Sequence, residues 1–574
     1  MTKTGSPAGG AAGQPATDGR EYDVVVVGSG AGGGAAAWAL SESGVKVLVL
    51  EAGPRFDPVG DYRLHLPDWE LGHFPDERVK HKARHTFGPM QTLESRPDAL
   101  RSWNRIDGPT NPGALRRPWK YHNVRGVGGS TLHFQGDAHR LHPQAMRMRT
   151  RFDVAADWPI DYAELEPFYE IAERVVGVAG PGRDSLRVRR SDHPLPPHMP
   201  GPAGRKIMST GAALGMQWEP NSQAILSRPY DGRPGCNYCA NCLRGCPRND
   251  KGSVDVTFLR KAKASGRCTV VPDAQVLRIE AGPDRRVRSV VFSRNGRRES
   301  VRTRVLVLAC GAVETPRLLL LSEGAHAHGG LANEHGQVGR HFMETLSWVS
   351  SGLHPEKLGS HRGVPSDVIS WTHNAPDAIP GVIGGARFNS SAADAGFVGP
   401  IAYANRAVEG WGRAHKQAMR ASFGHLLSVG SIGESLPNEW AFVELDPDTK
   451  DGFGDPVARI NPYLSAGDID RLAFMAKRCR EILAAAGARE LCEEYGAYDA
   501  FSSTHVFGTC RMGLRPAQSV VDPAGRAHAW RNLFVTDASV FPSTGGGESP
   551  SLTIEALAIR TGRRIRDALL RREL

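Results

Sequence analysis

The chain has 574 residues, of which 40% are hydrophobic and 23% charged, proportions typical of a soluble globular protein. This length exceeds one ordinary compact domain and predicts roughly two to four domain-sized units. The 71 lysines and arginines outnumber the 61 acidic residues, but they are scattered, which favours a solvated surface over a nucleic-acid-binding face.

The first twenty residues are rich in Gly, Ala, Pro and Thr and predict a disordered leader. They lack the apolar segment of a secretory signal, and they lack a twin arginine. The chain nowhere approaches the ~20 consecutive apolar residues of a membrane-spanning helix. We therefore expect no transmembrane segment and a cytoplasmic location, or a periplasmic one if a partner subunit carries the export signal.

Residues 22–51 are typical of one strand–helix–strand unit. The β-branched run at 22–28 and the apolar run at 45–50 favour strands that are buried on both faces. Between them, the alanine-rich segment 35–43 favours a helix that ends at Gly44. This alternation is the building block of a parallel sheet covered by helices.

The turn between the first strand and the helix has a glycine fingerprint, GSGAGG, which matches GxGxxG. Gly28 permits a tight turn, Gly30 lets the backbone approach a pyrophosphate, and Gly33 lets the helix pack closely on the strand. The helix N-terminus offers N–H groups to phosphate, Ala31 in the turn is a further predicted cofactor contact, and Glu51 after the second strand would accept hydrogen bonds from ribose hydroxyls. The unit is therefore predicted to bind a dinucleotide.

Two later segments favour FAD over a nicotinamide cofactor. A second glycine turn, RGVGGSTLH, occupies residues 125–133, about a hundred residues after the first. The segment Asp-Ala-Ser at 537–539 follows a predicted strand at 532–536. FAD is long enough to contact several such segments, which a nicotinamide enzyme does not usually need. The further predicted FAD-binding residues are Gly128, Ser130, Asp537 and Ala538.

The remaining elements mix helices, buried strands and half-exposed strands. Alternating segments between 345 and 495, such as 440–445, favour antiparallel strands with one solvated face. The other predicted elements are an amphipathic helix at 161–176 with Asp161 as N-cap, a Pro- and Arg-rich excursion at 180–235, a strand at 301–309, and helices at 315–321, 469–486 and 552–569.

These patterns predict an α/β protein, α+β overall. A Rossmann-like FAD-binding domain is interrupted by a substrate domain built on an antiparallel sheet. The predicted division is a leader at 1–20, the FAD-binding domain at 21–190, 251–344 and 499–574, a cysteine-containing excursion at 191–250, and the substrate-binding domain at 345–498.

Six segments, in this order and spacing, resemble the glucose–methanol–choline (GMC) family of FAD oxidoreductases. The likeness covers nearly the whole chain after residue 21 and is nearest to bacterial sugar and gluconate dehydrogenases and to pyranose or glycoside oxidases. It implies oxidation of an alcohol to a carbonyl, with hydride transfer to flavin N5. The segments are the N-terminal VVVVGSGAGGGAAAWAL…VLVLEAG, RGVGGSTLHFQG at 125–136, DWPIDYAELEPFYEIAERVVGV at 157–178, GAVETPRLLLLS at 311–322, HVFGTCRMG at 505–513 and NLFVTDASVFPSTGGGESPSLTIEAL at 532–557.

The resemblance implies the catalytic residues. His505 in HVFGTCRMG corresponds to the base that removes the hydroxyl proton, a task that suits a neutral imidazole near pH 7. The family's second catalytic position, usually His or Asn before a proline, falls on Ser549 before Pro550. Because serine is a shorter and weaker partner for a base, Glu548 is the alternative at this position.

Two more cofactor contacts follow from the resemblance. His133 occupies a position at which some family members bond a histidine covalently to the flavin and others do not, and we expect noncovalent FAD here. The strand around Val276 resembles the family segment that touches the adenine end of FAD, the alternative being an ordinary strand residue.

Four of the nine cysteines lie within eleven residues, at Cys236, Cys239, Cys242 and Cys246. Their x2-x2-x3 spacing before a proline is that of a ferredoxin cluster loop. Three of them also match the x5 and x3 spacing of the three-iron cluster in some membrane-linked sugar dehydrogenases of the family. The alternatives are free thiols, a local disulfide, or a structural zinc site.

Three functions remain open at this point. The first is a dehydrogenase of sugars, glycosides or polyols that passes electrons to a quinone or a cytochrome, with a small accessory subunit. The second is a pyranose or glycoside oxidase that uses O₂ and releases H₂O₂. The third is a noncatalytic flavin electron-transfer module, against which His505 and the complete set of motifs argue.

Overall fold

Two large β-sheets, one of them antiparallel and the other mainly parallel, organise the protein. The computed structural model describes residues 22–62, 84–89, 91–93, 100, 102–104, 108–109, 121–391, 404, 407–408, 410–498 and 504–574. The leader predicted at 1–20 lies outside these residues. Within the described ranges, no helix is both long enough and apolar enough to cross a membrane.

The strands are numbered in chain order. They are β1 Tyr22–Val27, β2 Val47–Leu50, β3 His85–Phe87, β4 Trp103–Asn104, β5 Gly108–Pro109, β6 Glu219–Pro220, β7 Cys268–Val271, β8 Ala274–Ala281, β9 Val287–Arg294, β10 Arg297–Leu308, β11 Met343–Glu344, β12 Leu346–Leu353, β13 Val368–Ser370, β14 Ala386–Ser390, β15 Leu426–Gly433, β16 Phe442–Lys450, β17 Pro456–Asn461, β18 Glu490–Gly496, β19 Val506–Phe507 and β20 Leu533–Val535.

The α-helices are numbered in the same way, and short 3₁₀ segments are named by their residues. The helices are α1 Ala31–Ser41, α2 Pro58–Asp61, α3 Met148–Phe152, α4 Tyr162–Val176, α5 Pro202–Met208, α6 Gly211–Leu214, α7 Phe258–Ala264, α8 Gly311–Leu321, α9 Gly412–Ser422, α10 Ala466–Ala485 and α11 Ser551–Leu570.

The first sheet contains the predicted strand–helix–strand unit. Strands β7, β2, β1, β10 and β20 lie side by side in that order, and every neighbouring pair is parallel. Their apolar side chains form the largest core of the molecule, as expected for strands of a covered parallel sheet. The strand predicted at 301–309 is longer than expected, because the first half of β10 pairs antiparallel with β9, which in turn pairs with β8.

Helix α1 begins at Ala31, four residues before the start predicted from its alanines. The reason is close packing. A Cβ on Gly32 would lie 2.0 Å from the carbonyl oxygen of Thr536, and one on Gly34 would lie 2.1 Å from the Val254 side chain. Only glycine allows these approaches, so tertiary packing overrides the poor helix propensity of three consecutive glycines. The predicted N-cap of α4 is confirmed, since the Asp161 side chain accepts a hydrogen bond from the Glu164 amide.

In the described ranges, eight strands form the second sheet, in the order β5-β4-β18-β12-β15-β14-β13-β6, with every neighbouring pair antiparallel. Helix α10 packs on one face, where Trp348 and Phe388 lie in an apolar core. Because side chains alternate along a strand, Arg387 and Asn389 of β14 project from the opposite face. The antiparallel character predicted for 345–495 is confirmed.

Strand partners depart from the sequence pattern in two places. The second sheet also includes β4, β5 and β6, which precede residue 221. Conversely, β16 and β17 fall inside 345–498 but form a separate sheet with β3. Periodicity identifies a strand, but it does not identify the strand with which it pairs.

Candidate active site

The first glycine turn has the backbone geometry that its sequence predicts. Gly28 has φ of +91°, and a Cβ on Gly33 would lie 1.9 Å from the carbonyl oxygen of Gly28. Gly30 is the N-cap of α1 and has no side chain to satisfy the first amides of the helix. These amides at Ala31 and beyond are therefore available to an anion such as a pyrophosphate.

The second glycine turn lies directly against the first. A Cβ on Gly129 would be 2.7 Å from the Cα of Gly30, so the second turn requires glycine at this position for the approach. The Gly128 amide donates to Ser29 Oγ at 3.0 Å. Ser130 follows in the 3₁₀ segment Gly129–Leu132 and accepts a hydrogen bond from the Val124 amide at 3.2 Å. Two segments a hundred residues apart thus form one surface for a long cofactor.

Glu51 stands at the end of β2, beside the first turn. Its carboxylate accepts hydrogen bonds from the Ser29 amide at 3.0 Å, from Ser29 Oγ at 2.7 Å and from the Gly53 amide at 3.0 Å. Burial raises the pKa of this carboxyl, while the hydrogen bonds oppose the rise. The Ala274 amide donates to the Glu51 carbonyl at 2.8 Å, so β8, which contains Val276, begins next to the predicted ribose-binding carboxylate.

The third segment meets the same region from the C-terminal part of the chain. Asp537 Oδ2 accepts from the Gly311 amide at 3.0 Å and from Thr315 Oγ1 at 2.6 Å, which ties β20 to the start of α8. Its Oδ1 caps the 3₁₀ segment Ala538–Val540 through the Ser539 amide. Because Gly32 packs on Thr536, Asp537 and Ala538 lie at the N-terminal end of α1. The three segments thus lie next to one another at a helix N-terminus, a place suited to the phosphates of a dinucleotide.

His505 precedes β19, which pairs with β11. The Thr345 amide donates to the His505 carbonyl at 3.1 Å, and Thr345 Oγ1 lies 3.4 Å from His505 Nδ1. The pKa of His505 is lowered to about 4, chiefly by burial and in part by the Arg387 charge, while the Asp137 charge opposes the shift. The imidazole is therefore neutral at pH 7, the state in which it can accept a proton.

Ser549 is buried beside two charged groups that the sequence did not single out. Its Oγ lies 3.4 Å from both Asp137 Oδ2 and Arg387 Nη2. Its amide donates to His139 Nδ1 at 3.1 Å, and the other ring nitrogen of His139 pairs with Asn221 Oδ1 at 2.9 Å. Pro550 then forms the N-cap of α11.

Glu548, the alternative at this position, is engaged in a different set of contacts. Its Oε1 accepts from Arg187 Nη2 at 2.6 Å, from Asn374 Nδ2 at 3.1 Å and from the His142 amide at 3.0 Å. The carboxylate is almost fully buried and forms an ion pair with Arg187. These contacts anchor the loop that precedes α11 to residues from three other parts of the chain.

Family models for GMC oxidoreductases match residues 144–346 and 437–558, more than half of the chain, and a model for NAD(P)-binding Rossmann-like domains matches residues 26–91. The chain belongs to the GMC oxidoreductase family. As a GMC oxidoreductase it is an FAD-dependent enzyme that acts on CH–OH groups of its donors. The family therefore implies FAD as the cofactor. That the two glycine turns and Asp537 bind it stays a prediction.

Curated GMC relatives match along almost the whole chain. A 2-methyl-1,2-propanediol dehydrogenase of Mycolicibacterium austroafricanum is 30% identical, over 95% of this chain and 95% of its own. A 6'''-hydroxyparomomycin C oxidase of Streptomyces lividus is 30% identical, over 96% and 92%. The fructose dehydrogenase large subunit of Gluconobacter japonicus is 27% identical, over 96% and 97%.

The fold is also shared with a solved structure. The crystal structure of pyridoxine 4-oxidase from Mesorbium loti superposes with a TM-score of 0.61 over 95% of this chain and 99% of the other. The two sequences are 20% identical, so this likeness supports the common architecture of the FAD-binding domain and the antiparallel sheet.

His133 lies at the end of the second glycine turn, within electrostatic range of His505. The pKa of His133 is lowered to about 3, chiefly by burial and in part by the charges of Lys251, His122 and His505. The predicted base and the residue after the predicted flavin-binding turn thus lie within electrostatic range of each other, although they are far apart in the sequence. The covalent or noncovalent state of the FAD bound there stays a prediction.

The cysteine loop does not have the predicted arrangement for a metal. Within the described residues, no group of three or more His, Cys, Asp or Glu side chains could hold a metal ion, so the iron–sulfur and zinc interpretations are not supported. Cys242 is buried and Cys239 exposed, while Cys236 accepts a hydrogen bond from the Tyr238 amide and Cys246 donates to Asp250. All four cysteines are free thiols, and burial raises the pKa of Cys236 to about 12.

The physical reason lies in the backbone of this loop. Tyr238 and Ala240 have positive φ values of 58°, which turn the chain twice between the first three cysteines. The Cys242 carbonyl is held by Lys251 Nζ at 2.7 Å, and this ammonium also binds the carbonyls of Leu132 and Phe134. Close spacing in the sequence thus places the thiols in one loop without directing them to a common point.

Proposed function

We propose that this protein oxidises a CH–OH group of a sugar, glycoside or polyol to a carbonyl, with His505 as the base. Bound FAD supplies the hydride acceptor, N5 of the flavin. The observation that supports the proposal is a neutral His505 within electrostatic range of Arg387 and Asp137, the two buried charged groups that contact Ser549.

The proton of the substrate hydroxyl is accepted by a side chain of the protein, His505. Thr345 Oγ1 is near Nδ1 of His505, and the tautomer with its hydrogen on Nδ1 presents the Nε2 lone pair to the substrate hydroxyl. The base takes the hydroxyl proton as the C–H hydrogen leaves with its electron pair, so a neutral alcohol becomes a neutral carbonyl. Ser549 is proposed to hold the substrate oxygen during this step.

A polar substrate suits the walls of the centre. Arg387 and Asn389 project from the antiparallel sheet, and Asp137 faces them from the segment after the second glycine turn. Such a wall would bind hydroxyl groups better than a hydrocarbon chain, because buried polar groups require partners. The names of the relatives, which include a diol dehydrogenase, an aminoglycoside oxidase and a fructose dehydrogenase, support the same substrate class.

For the electron acceptor we propose a quinone or a cytochrome partner, reached through an accessory subunit. The alternative is O₂, with H₂O₂ as product. One dehydrogenase and one oxidase are both 30% identical to this chain, which favours neither acceptor. We propose the cytoplasm as the default location.

The decisive experiment is anaerobic mixing of the FAD-loaded protein with a panel of sugars, glycosides, polyols and sterols. We expect loss of the flavin absorbance near 450 nm with a polyhydroxylated substrate. His505→Ala should retain FAD and be reduced roughly 10²–10⁴-fold more slowly, the usual contribution of a general base. Unchanged reduction by that variant would contradict the assigned base. Admitting O₂ afterwards distinguishes an oxidase, which reoxidises at once, from a dehydrogenase.

A further inference from the structure

A buried ion pair contacts Ser549 and lies within electrostatic range of His505. Arg387 comes from β14 of the antiparallel sheet, whereas Asp137 follows the second glycine turn. Their closest atoms, Arg387 Nη2 and Asp137 Oδ2, are 3.0 Å apart, and both side chains are at least nine-tenths buried. The pair therefore joins the two large parts of the molecule at the candidate active centre.

Each member of the pair is fixed by further hydrogen bonds. Arg387 Nε donates to the Gly547 carbonyl at 2.7 Å, and Nη1 donates to Asn389 Oδ1 at 2.8 Å. Asp137 Oδ1 accepts from Asn221 Nδ2 at 2.9 Å. A guanidinium held by several partners keeps one position, as preorganised electrostatics requires. The carbonyl it binds lies two residues before Ser549, so the loop is held together with its serine.

We infer that the Asp137–Arg387 pair is a positioning element for the reaction: it orients the Ser549 hydroxyl toward the substrate oxygen and balances the charge that His505 experiences. This inference rests on the proposed function of His505 and Ser549. A lone arginine at this place would disfavour the imidazolium that forms during turnover, and a lone aspartate would stabilise it before substrate arrives. As a pair, the two groups carry no net charge. Arg387 Nη2 and Asp137 Oδ2 can therefore both hold the Ser549 hydroxyl.

The two members act on His505 with opposite sign. The Arg387 cation lowers the pKa of His505, and the Asp137 anion raises it. Among the described residues, two more titratable groups interact electrostatically with His505. The charge of His139 lowers the pKa of His505, and the charge of His505 lowers the pKa of His133. Because the base is active only when neutral, removing the cation should move the acid limb of the reaction to higher pH. Removing the anion should move it to lower pH.

The test compares Arg387→Met with Asp137→Asn. The pKa of His505 is read directly as the pH dependence of its modification by diethylpyrocarbonate, which attacks neutral imidazole, with peptide mass spectrometry as the readout. We expect the midpoint to rise in Arg387→Met and to fall in Asp137→Asn relative to the wild type. A shift in the same direction in both variants, or in neither, overturns the inference, because a purely structural role predicts no opposite signs.

Flavin reduction supplies the second measurement. Arg387→Met and Ser549→Ala should each slow flavin reduction by roughly tenfold or more. The double variant should be no slower than the slower single variant, because each substitution disrupts the same contact between Arg387 and Ser549. Additive losses overturn the inference. If either half of the ion pair alone prevents folding, Arg387→Met with Asp137→Asn removes both charges together and is compared with Ser549→Ala. A His505→Ala variant that keeps full activity would refute the proposed function instead.

Discussion

The predicted FAD-binding turns and the centre around Ser549 are assembled in different ways. At Gly28–Gly33 the predicted function depends on backbone geometry, and the residues that provide it are neighbours in the sequence. At Ser549 the proposed function depends on side chains from Asp137, His139 and Arg387, which are 162 to 412 residues away. A motif can therefore reveal the first region, whereas only the folded chain assembles the second.

The largest effect is expected where backbone packing admits no side chain. In Gly33→Ala the new Cβ would lie 1.9 Å from the Gly28 carbonyl, so the turn must move. We expect loss of bound FAD and of most soluble protein, measured as the ratio of flavin to protein and as the thermal midpoint. Gly467→Ala is the control, because the nearest atom to its Cβ is 3.9 Å away. Full FAD content in Gly33→Ala would contradict the assignment of this turn.

The second prediction concerns the loop that carries Ser549. Arg187→Met leaves the buried Glu548 carboxylate without its cation, and we expect a loss of about 3 kcal/mol in the free energy of unfolding. Arg183→Met is the matched control, because Arg183 and its partner Asp192 are both 68% exposed and 3.8 Å apart. Denaturant unfolding measures both variants. Equal free energies of unfolding in the two variants would show that this loop is held by local contacts. The contrast between the glycine turns and the centre around Ser549 would then weaken.

The differences from the sequence-based picture follow the same division. Glycine turns, the Asp161 cap and most strands were predictable because their signals lie within a few residues. The early start of α1 depends on Thr536 and Val254, which no local propensity includes. Nothing in the sequence around Arg387 indicates a functional role. For Asp137 the only indication is weak: the residue directly follows the motif RGVGGSTLHFQG. The metal interpretation of the cysteines is not supported by the described residues, because spacing in the sequence does not determine the direction of each thiol.

The third prediction concerns the low pKa of His505. An unperturbed histidine has a pKa near 6.5, but His505 has one of about 4. Since the neutral base is the active form, kcat/KM should stay nearly constant down to about pH 5 and fall only near pH 4. At pH 4.5 this retains roughly a hundredfold more activity than an ordinary histidine would. The measurement is the pH profile of flavin reduction, with FAD content checked at each pH. An acid limb near pH 6.5 would show that burial does not lower the pKa of His505.

The smallest effect is expected at a feature that the sequence revealed on its own. In Asp161→Ala the first turn of α4 loses the side chain that accepts from the Glu164 amide at 2.8 Å. Replacing such an N-cap by alanine costs about 1 kcal/mol of stability. Asp184→Ala is the control, because Asp184 is exposed and caps no α-helix. Denaturant midpoints should therefore fall slightly in Asp161→Ala and stay unchanged in Asp184→Ala. Helix α4 also packs against α11, behind Ser549. A loss of stability as large as that of Arg187→Met would mean that the Asp161 cap, which the sequence alone predicts, contributes as much as the buried Arg187–Glu548 ion pair.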